Sequence, residues 1–566
     1  MTRTHAALLA VSVLVAFAAA AACGSGDPIS TFPDAGADTG ATDGASDQES
    51  PDLPEGSVTW SDFPPTPVVD MGLPPDIDKQ FGAPTMAGSA PCVFEPSPDA
   101  MIPKNWSPLF VEWSAAAAQN VFEIVLRVAN QKNPLRVYTT ATPWTMETKM
   151  WNALAMHSAG LDIDFSVRGA KLENGQLTAG PWETTKGKWH IAPVDAPGSI
   201  IYWASSGGTA FKGFTVGDTK PKTVLTPTTA GTTSTGGTTT CISCHTSSPD
   251  GKLLFYSRDA NDGSRATDVR TVADAGAAAP GDVSPAALAL LGRTKQTAAI
   301  LSPAHYSAND AVAISVYSSP QLNGGRYELI WTDLHATSSS GWGVLARNGD
   351  PRNVSSPSWR HDGTAIAYVS SAGGGEGVIA DVTAQDPTMD IYTVPYGNKA
   401  GGNATPLPGA SDPNAREFYP VYSPGDVLLA FNRSTLPVSS YNQPSAELYV
   451  VPGDGGTATR LRANDPATCT GLTSPGLTNS WPRWAPKAGA AGSEKFYWVV
   501  FSSKRRQASQ LKPQLYIAAV VTTVGGGGQE TFARDYPAVY VLAQDPADSN
   551  HTPAWDNFEV SQIPPN

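Results

Sequence analysis

Charge is scarce in this 566-residue chain: Asp, Glu, Lys and Arg together make up only 16% of it. Its polarity comes instead from Ser, Thr, Asn and Gly, a balance that suits turn-rich β structure better than helical bundles. Histidine and methionine are scarce, at 8 each, and cysteine scarcer still, at 5. GxSxG, HExxH, Walker and dinucleotide motifs are absent, so none of those catalytic chemistries is indicated and no catalytic residue is assigned. A net charge of −14 without clustered Lys or Arg argues against a nucleic-acid partner, whose phosphates require such clusters.

A second absence is local. Between Gly24 and Asp78 the chain has 12 acidic residues and no basic one, whereas from Lys79 onward it has 36 basic residues against 39 acidic. The acidity thus belongs to one segment. That segment is rich in Asp, Gly, Ala, Ser and Pro and poor in large hydrophobes, so residues 23–80 are expected to form a disordered tether.

Only the first residues are strongly apolar. Arg3 precedes an apolar stretch from Ala6 to Ala22, and small residues run up to Cys23, which reads as an export signal over residues 1–22. The ending Ala20-Ala21-Ala22-Cys23 resembles a bacterial lipobox. That resemblance implies cleavage before Cys23, lipidation of its thiol, and a membrane-anchored protein of the bacterial cell envelope, periplasmic or at the surface. Disulfides persist in such a compartment. Cys92 and Cys469 are candidates to pair across a domain junction, although spacing alone does not place them together.

The main body carries a repeat. Pro357-Ser358-Trp359, Pro420-Val421-Tyr422, Pro482-Arg483-Trp484 and Pro553-Ala554-Trp555 share a Pro-x-aromatic signature. The first three precede a turn and an apolar strand such as TAIAYVSS or FYWVVFSS. Less regular copies begin near His245 and His305. The spacing leaves room for about four short strands per copy, the content of a propeller blade, and six copies imply six blades. The last copy is truncated, while Ser199 to Ser206 aligns with Thr364 to Ser371. The C-terminal strand is therefore expected to insert as the innermost strand of the first blade and close the ring. The period and the SPDG turn from Ser248 resemble the TolB-like, WD-repeat-related propellers, over residues 199–566. Residues 90–195 alternate polar and apolar side chains and resemble a fibronectin type III or immunoglobulin-like β-sandwich. A short helix there places Met146, Met150 and Leu154 on one core-facing side. The expected class is all-β: a small sandwich, then a six-bladed propeller.

One motif carries chemistry. Cys241-Ile242-Ser243-Cys244-His245 is CxxCH, the attachment pattern of c-type haem, in which two thiols form thioethers and the histidine ligates iron. A propeller strand begins only eight residues after His245, and no Met or His follows until His305. His305 occupies the repeat position that matches His245 one blade on, which makes it the candidate distal iron ligand. A Cys241–Cys244 disulfide and a Cys/His metal site are alternatives that the residues leave open. Asp259-Ala260-Asn261-Asp262-Gly263 lacks the spacing of a calcium loop and reads as a hairpin turn. Three functions are thus expected: electron transfer or redox sensing through one haem c, a non-redox scaffold that engages an envelope protein or glycan, or an enzyme with its site in the propeller channel, and fold alone does not choose among them.

Overall fold

The computed structural model describes residues 58–560 except 83–84, 207, 233–235, 274–279, 295–297, 309, 374–385, 438 and 507–511. The export signal and Cys23 lie outside the described residues. Among the described residues, no helix is long and apolar enough to cross a membrane.

Strands of alternating burial, separated by Gly, Asp and Pro turns, assemble into six consecutive sheets that form the expected all-β propeller. The second blade consists of Thr239–Ser247, Leu253–Ala260 and Arg265–Thr271. The third has Val312–Tyr317, Glu328–Asp333 and Trp342–Val344. The inner strands of the fourth, fifth and sixth are Asn353–Trp359, Arg416–Tyr422 and Ser480–Trp484.

The first blade is completed from the far end of the chain. Asn550–Asp556 pairs antiparallel with Ser199–Ala204, with Ile200 opposite Trp555 and Ile201 opposite Ala554, and becomes the innermost strand of a four-stranded sheet. Ring closure by the C-terminal strand follows the sequence expectation.

A shared local feature sits in the inner strands. Cys244, Ser356, Tyr419, Trp481 and Thr552 all have positive φ, between 36° and 55°, and in each case the next residue is the Pro or His of the repeat. The pairing register slips at each of these points, as a β-bulge does. Left-handed backbone is costly for non-glycine residues, so its recurrence in five blades assigns the bulge to propeller architecture rather than to chemistry peculiar to Cys244.

The N-terminal unit holds two sheets. The larger is ordered Val68–Val69, Leu135–Thr139, Val121–Arg127, Asp162–Glu173, Thr184–Ile191, Met101–Ile102, with Gln176–Ala179 attached to Asp162–Glu173. The smaller contains Cys92–Glu95, Phe110–Ser114 and Trp144–Thr145. Helix Thr148–His157 buries Trp151 and Leu154, with Met146 and Met150 in the same core. The outermost pairs of the large sheet are parallel, a departure from the antiparallel sandwich that the sequence resembles.

The tether expected over residues 23–80 requires correction. Residues 58–82 are folded against the sandwich: Trp60 stacks on His157 at 3.5 Å, Asp62 bonds the same imidazole at 3.0 Å, and Phe63 is fully buried. Helix Ile77–Phe81 buries both of its end residues. Three buried apolar side chains, Phe63, Ile77 and Phe81, anchor a stretch whose average composition is that of a linker, because burial of each contributes about 1.5–3 kcal/mol, and the more exposed Trp60 adds its stack on His157.

Sandwich and propeller share one core. Trp106 of the sandwich lies 6.4 Å from Phe214 and 6.3 Å from Trp555, next to Trp498 and Val541 of the last blade. Cys92 and Cys469, 377 residues apart, form a disulfide across the junction.

Candidate functional site

The CxxCH segment forms most of an inner propeller strand, paired residue by residue with its neighbour: Cys241 faces Asp259, Ser243 faces Ser257, and His245 faces Tyr256 after the bulge at Cys244. Cys241 is only 4% exposed and packs with Ile201, Trp203 and Phe211 between the first two blades. Cys244, at the bulge, is half-buried. The disulfide between these two cysteines is not formed.

His245 is 5% exposed, with its ring 4.5 Å from Phe211. Its Nε2 donates to the Ile201 carbonyl at 3.1 Å, and its Nδ1 has no hydrogen-bond partner among the described residues. Burial, helped by the nearby Arg483 charge and opposed by the Ile201 hydrogen bond, pulls its pKa down to about 4, so the imidazole is neutral at physiological pH.

These residues, as folded, do not fit a covalently attached haem. A porphyrin joined to both sulfurs would have to reach Cys241 through the packed core between blades, and the Nε2 of His245 is committed to a backbone carbonyl. Among the described residues, no group of three or more His, Cys, Asp or Glu gathers as a metal site.

His305 is not on an inner strand, contrary to expectation. Pro303 and Ser302 start a short helix, Pro303–Ser307, where the third blade's inner strand would run, and only Ile300 bridges to Ile314. The Nδ1 of His305 meets Asp310 at 3.0 Å and its Nε2 donates to the Gly363 carbonyl at 3.1 Å. The ring stacks on Trp359 and meets the edge of Tyr396. Both ring nitrogens are therefore engaged, Nδ1 within the third blade, while Nε2 and the ring face tie it to the fourth. His190 is likewise occupied, between Asp99 and Asp162. Asp262 accepts from Ser264 N–H in a hairpin turn, as the sequence suggests.

The inner-strand segments converge on a channel mouth with a cavity of about 360 Å³. Proline rings and the indoles of Trp359, Trp484 and Trp555 make up the apolar half of its wall, and polar groups line the other half. The indoles are fixed by N–H bonds to the carbonyls of Gly363, Val421 and Pro197. His245, His361, Arg483 and Asp556 supply polar groups. His361 is held by Asp426 at 2.9 Å. Asp556 accepts from the Ser247 hydroxyl and from Asn557 N–H, and burial raises its pKa to about 6.

Arg483 is half-buried and sparsely partnered: the buried Arg416 and Arg505 are held by several carbonyl, hydroxyl or amide oxygens, and other arginines of the propeller by carboxylates. Arg347 is paired with Glu328 and Asp350, and Arg433 with Glu417. Arg483 makes one hydrogen bond, from Nη1 to the Pro482 carbonyl at 2.9 Å, and no ion pair among the described residues. Sequence reasoning assigned Arg483 no role. A signal was present nonetheless, since the four Pro-x-aromatic copies carry Ser358, Val421, Arg483 and Ala554 at x, and Arg483 alone is charged.

No family model matches this chain, and no curated protein sequence matches it. Similar solved structures include TolB from Acinetobacter baumannii, at 14% identity over 72% of this chain and 85% of that one, with a TM-score of 0.36. Kuenenia stuttgartiensis hydrazine synthase is similar at 11% identity over 64% of this chain and 46% of that one, TM-score 0.39. A fucose-specific lectin from Aleuria aurantia is similar at 11% identity over 52% and 94%, TM-score 0.24. Likenesses this distant do not transfer function; the propeller assignment rests on the strand pairing described above.

Proposed function

We propose that this chain is an extracytoplasmic binding protein, anchored to the cell envelope through a lipid on Cys23, whose ligand enters the propeller's channel mouth. The observation that carries this reading is the cavity of about 360 Å³ with rigid aromatic walls and an arginine unpaired among the described residues. Concave pockets that combine apolar walls with convergent polar groups are the usual form of small-ligand sites, and here apolar and polar lining are about equal. The ligand is a free small molecule or a group presented by an envelope protein or glycan. The test is ligand-detected NMR with a set of small aromatic compounds against wild type and Val421→Trp, which fills the mouth from its wall. Binding to wild type that is lost in the variant supports the reading. Equal binding to both, or none to wild type, contradicts it.

A second reading follows from the motif itself: one haem c on Cys241 and Cys244 with His245 as iron ligand, acting in electron transfer or redox sensing. The neutral imidazole and its unpartnered Nδ1 favour it. It requires Cys241 to leave the core between blades, so the inner strand would have to open before or during attachment.

A further inference from the structure

We propose that the channel site selects a carboxylate carried on an apolar body, with the guanidinium of Arg483 as its anion receptor. This inference rests on the channel mouth being the binding site and adds the chemical class of the ligand.

A guanidinium presents five N–H donors in a planar fork that matches a carboxylate. Arg483 spends one of them on the Pro482 carbonyl, which leaves the others for a ligand. Desolvation by the channel wall, opposed by the nearby Cys244, draws its pKa down to about 10, so it remains a cation at neutral pH, and no carboxylate among the described residues forms an ion pair with it. The carboxylate at the same mouth, Asp556, is already held by Ser247 and Asn557 and forms no ion pair with Arg483. A desolvated charge without a counter-ion is costly even when only partly buried. A ligand that supplies the opposite charge recovers that cost in the complex.

The surroundings specify the rest of the ligand. His245 is neutral and adds no second positive charge, and Lys487 at the rim is exposed to solvent. One desolvated cation matches a monoanion rather than a phosphate dianion. Prolines and tryptophans leave the body of the ligand an apolar wall to lie against. The cavity volume suits a small organic acid, or one terminal group of a larger molecule.

The experiment is isothermal titration of the full mature chain with three probes: benzoate, phenyl phosphate and benzyl alcohol. Benzoate is expected to bind one to one, at least tenfold tighter than either of the others. Arg483→Met is expected to weaken benzoate at least tenfold while leaving benzyl alcohol unchanged. The unliganded variant should melt no lower than wild type, because an uncompensated charge has been removed. A lower melting temperature with no loss of benzoate affinity would make Arg483 structural and overturn the proposal. Benzyl alcohol binding as tightly as benzoate would overturn the carboxylate class while keeping the channel as a site. Phenyl phosphate as the tightest probe would replace it with a phosphate site. Benzoate binding that survives Val421→Trp would place the site elsewhere and overturn both readings.

Discussion

At the scale of residues, position in the repeat decides what a side chain can do. Cys244 and His245 look like a haem motif in one dimension, yet the fold makes them the bulge residue and the residue after it, as Tyr419 and Pro420 are two blades further on from the third. His305 carries the same repeat number but was diverted by the helix Pro303–Ser307 into a bond with Gly363. His305→Ala should therefore act on stability: loss of two hydrogen bonds and a ring stack predicts about 1–3 kcal/mol in urea unfolding. An unchanged unfolding midpoint would contradict its role between blades. The candidate site was half legible in sequence. CxxCH was found by its spacing, whereas Arg483 and Asp556 become neighbours of that strand only through ring closure. Its partial burial and the lack of an ion pair among the described residues, which give Arg483 its interest, are properties of the folded channel.

At the scale of elements, the inner strand is the informative unit. The Pro-x-aromatic signature was readable because proline suits the residue after a bulge, where ladder pairing is already interrupted, and the aromatic covers the neighbouring blade. Closure by the C-terminal strand was readable because the last copy lacks strands that Ser199–Ala204 supplies. The third blade was not readable in the same way: Pro303 at the start of a helix and Pro357 after a bulge are the same letter in different roles. Truncation at Ser549 removes Asn550–Asp556 and exposes the edge of Ser199–Ala204 and the indole pocket of Trp555. The truncated chain is expected to melt well below the full chain and to bind an exposed-surface dye such as ANS. Equal melting temperatures would show that the ring closes without this strand.

At the scale of the whole molecule, the sandwich and the propeller behave as one folded body through their shared core, the Cys92–Cys469 disulfide and a buried acid. Replacing both cysteines with serine should cost about 2–5 kcal/mol in denaturant unfolding, and no change would mean that the junction is held by packing alone. Glu95, at the same junction, accepts from Tyr540 N–H, and burial raises its pKa to about 8. Its folded pKa lies above the unfolded value, so unfolding releases a proton between pH ~4.5 and ~8. Stability is then full below that window and falls across it by about 1.4 kcal/mol per pH unit, levelling off above it. Glu95→Gln should flatten that fall in a pH series of unfolding curves; an unaltered slope would remove Glu95 as its source. The architecture of this body was largely legible, since periodicity and repeats survive without side-chain detail. The folding of residues 58–82 was not, because Trp60, Phe63, Ile77 and Phe81 are too sparse to outweigh an acidic average. The central claim is that CxxCH here builds a propeller strand around a ligand channel. Its most direct test is the intact mass and visible spectrum, after denaturation, of mature protein made in a host competent for c-type haem attachment. The account predicts the mass of the polypeptide with its lipid alone and no haem absorbance; one haem bound covalently through Cys241 and Cys244 would contradict it.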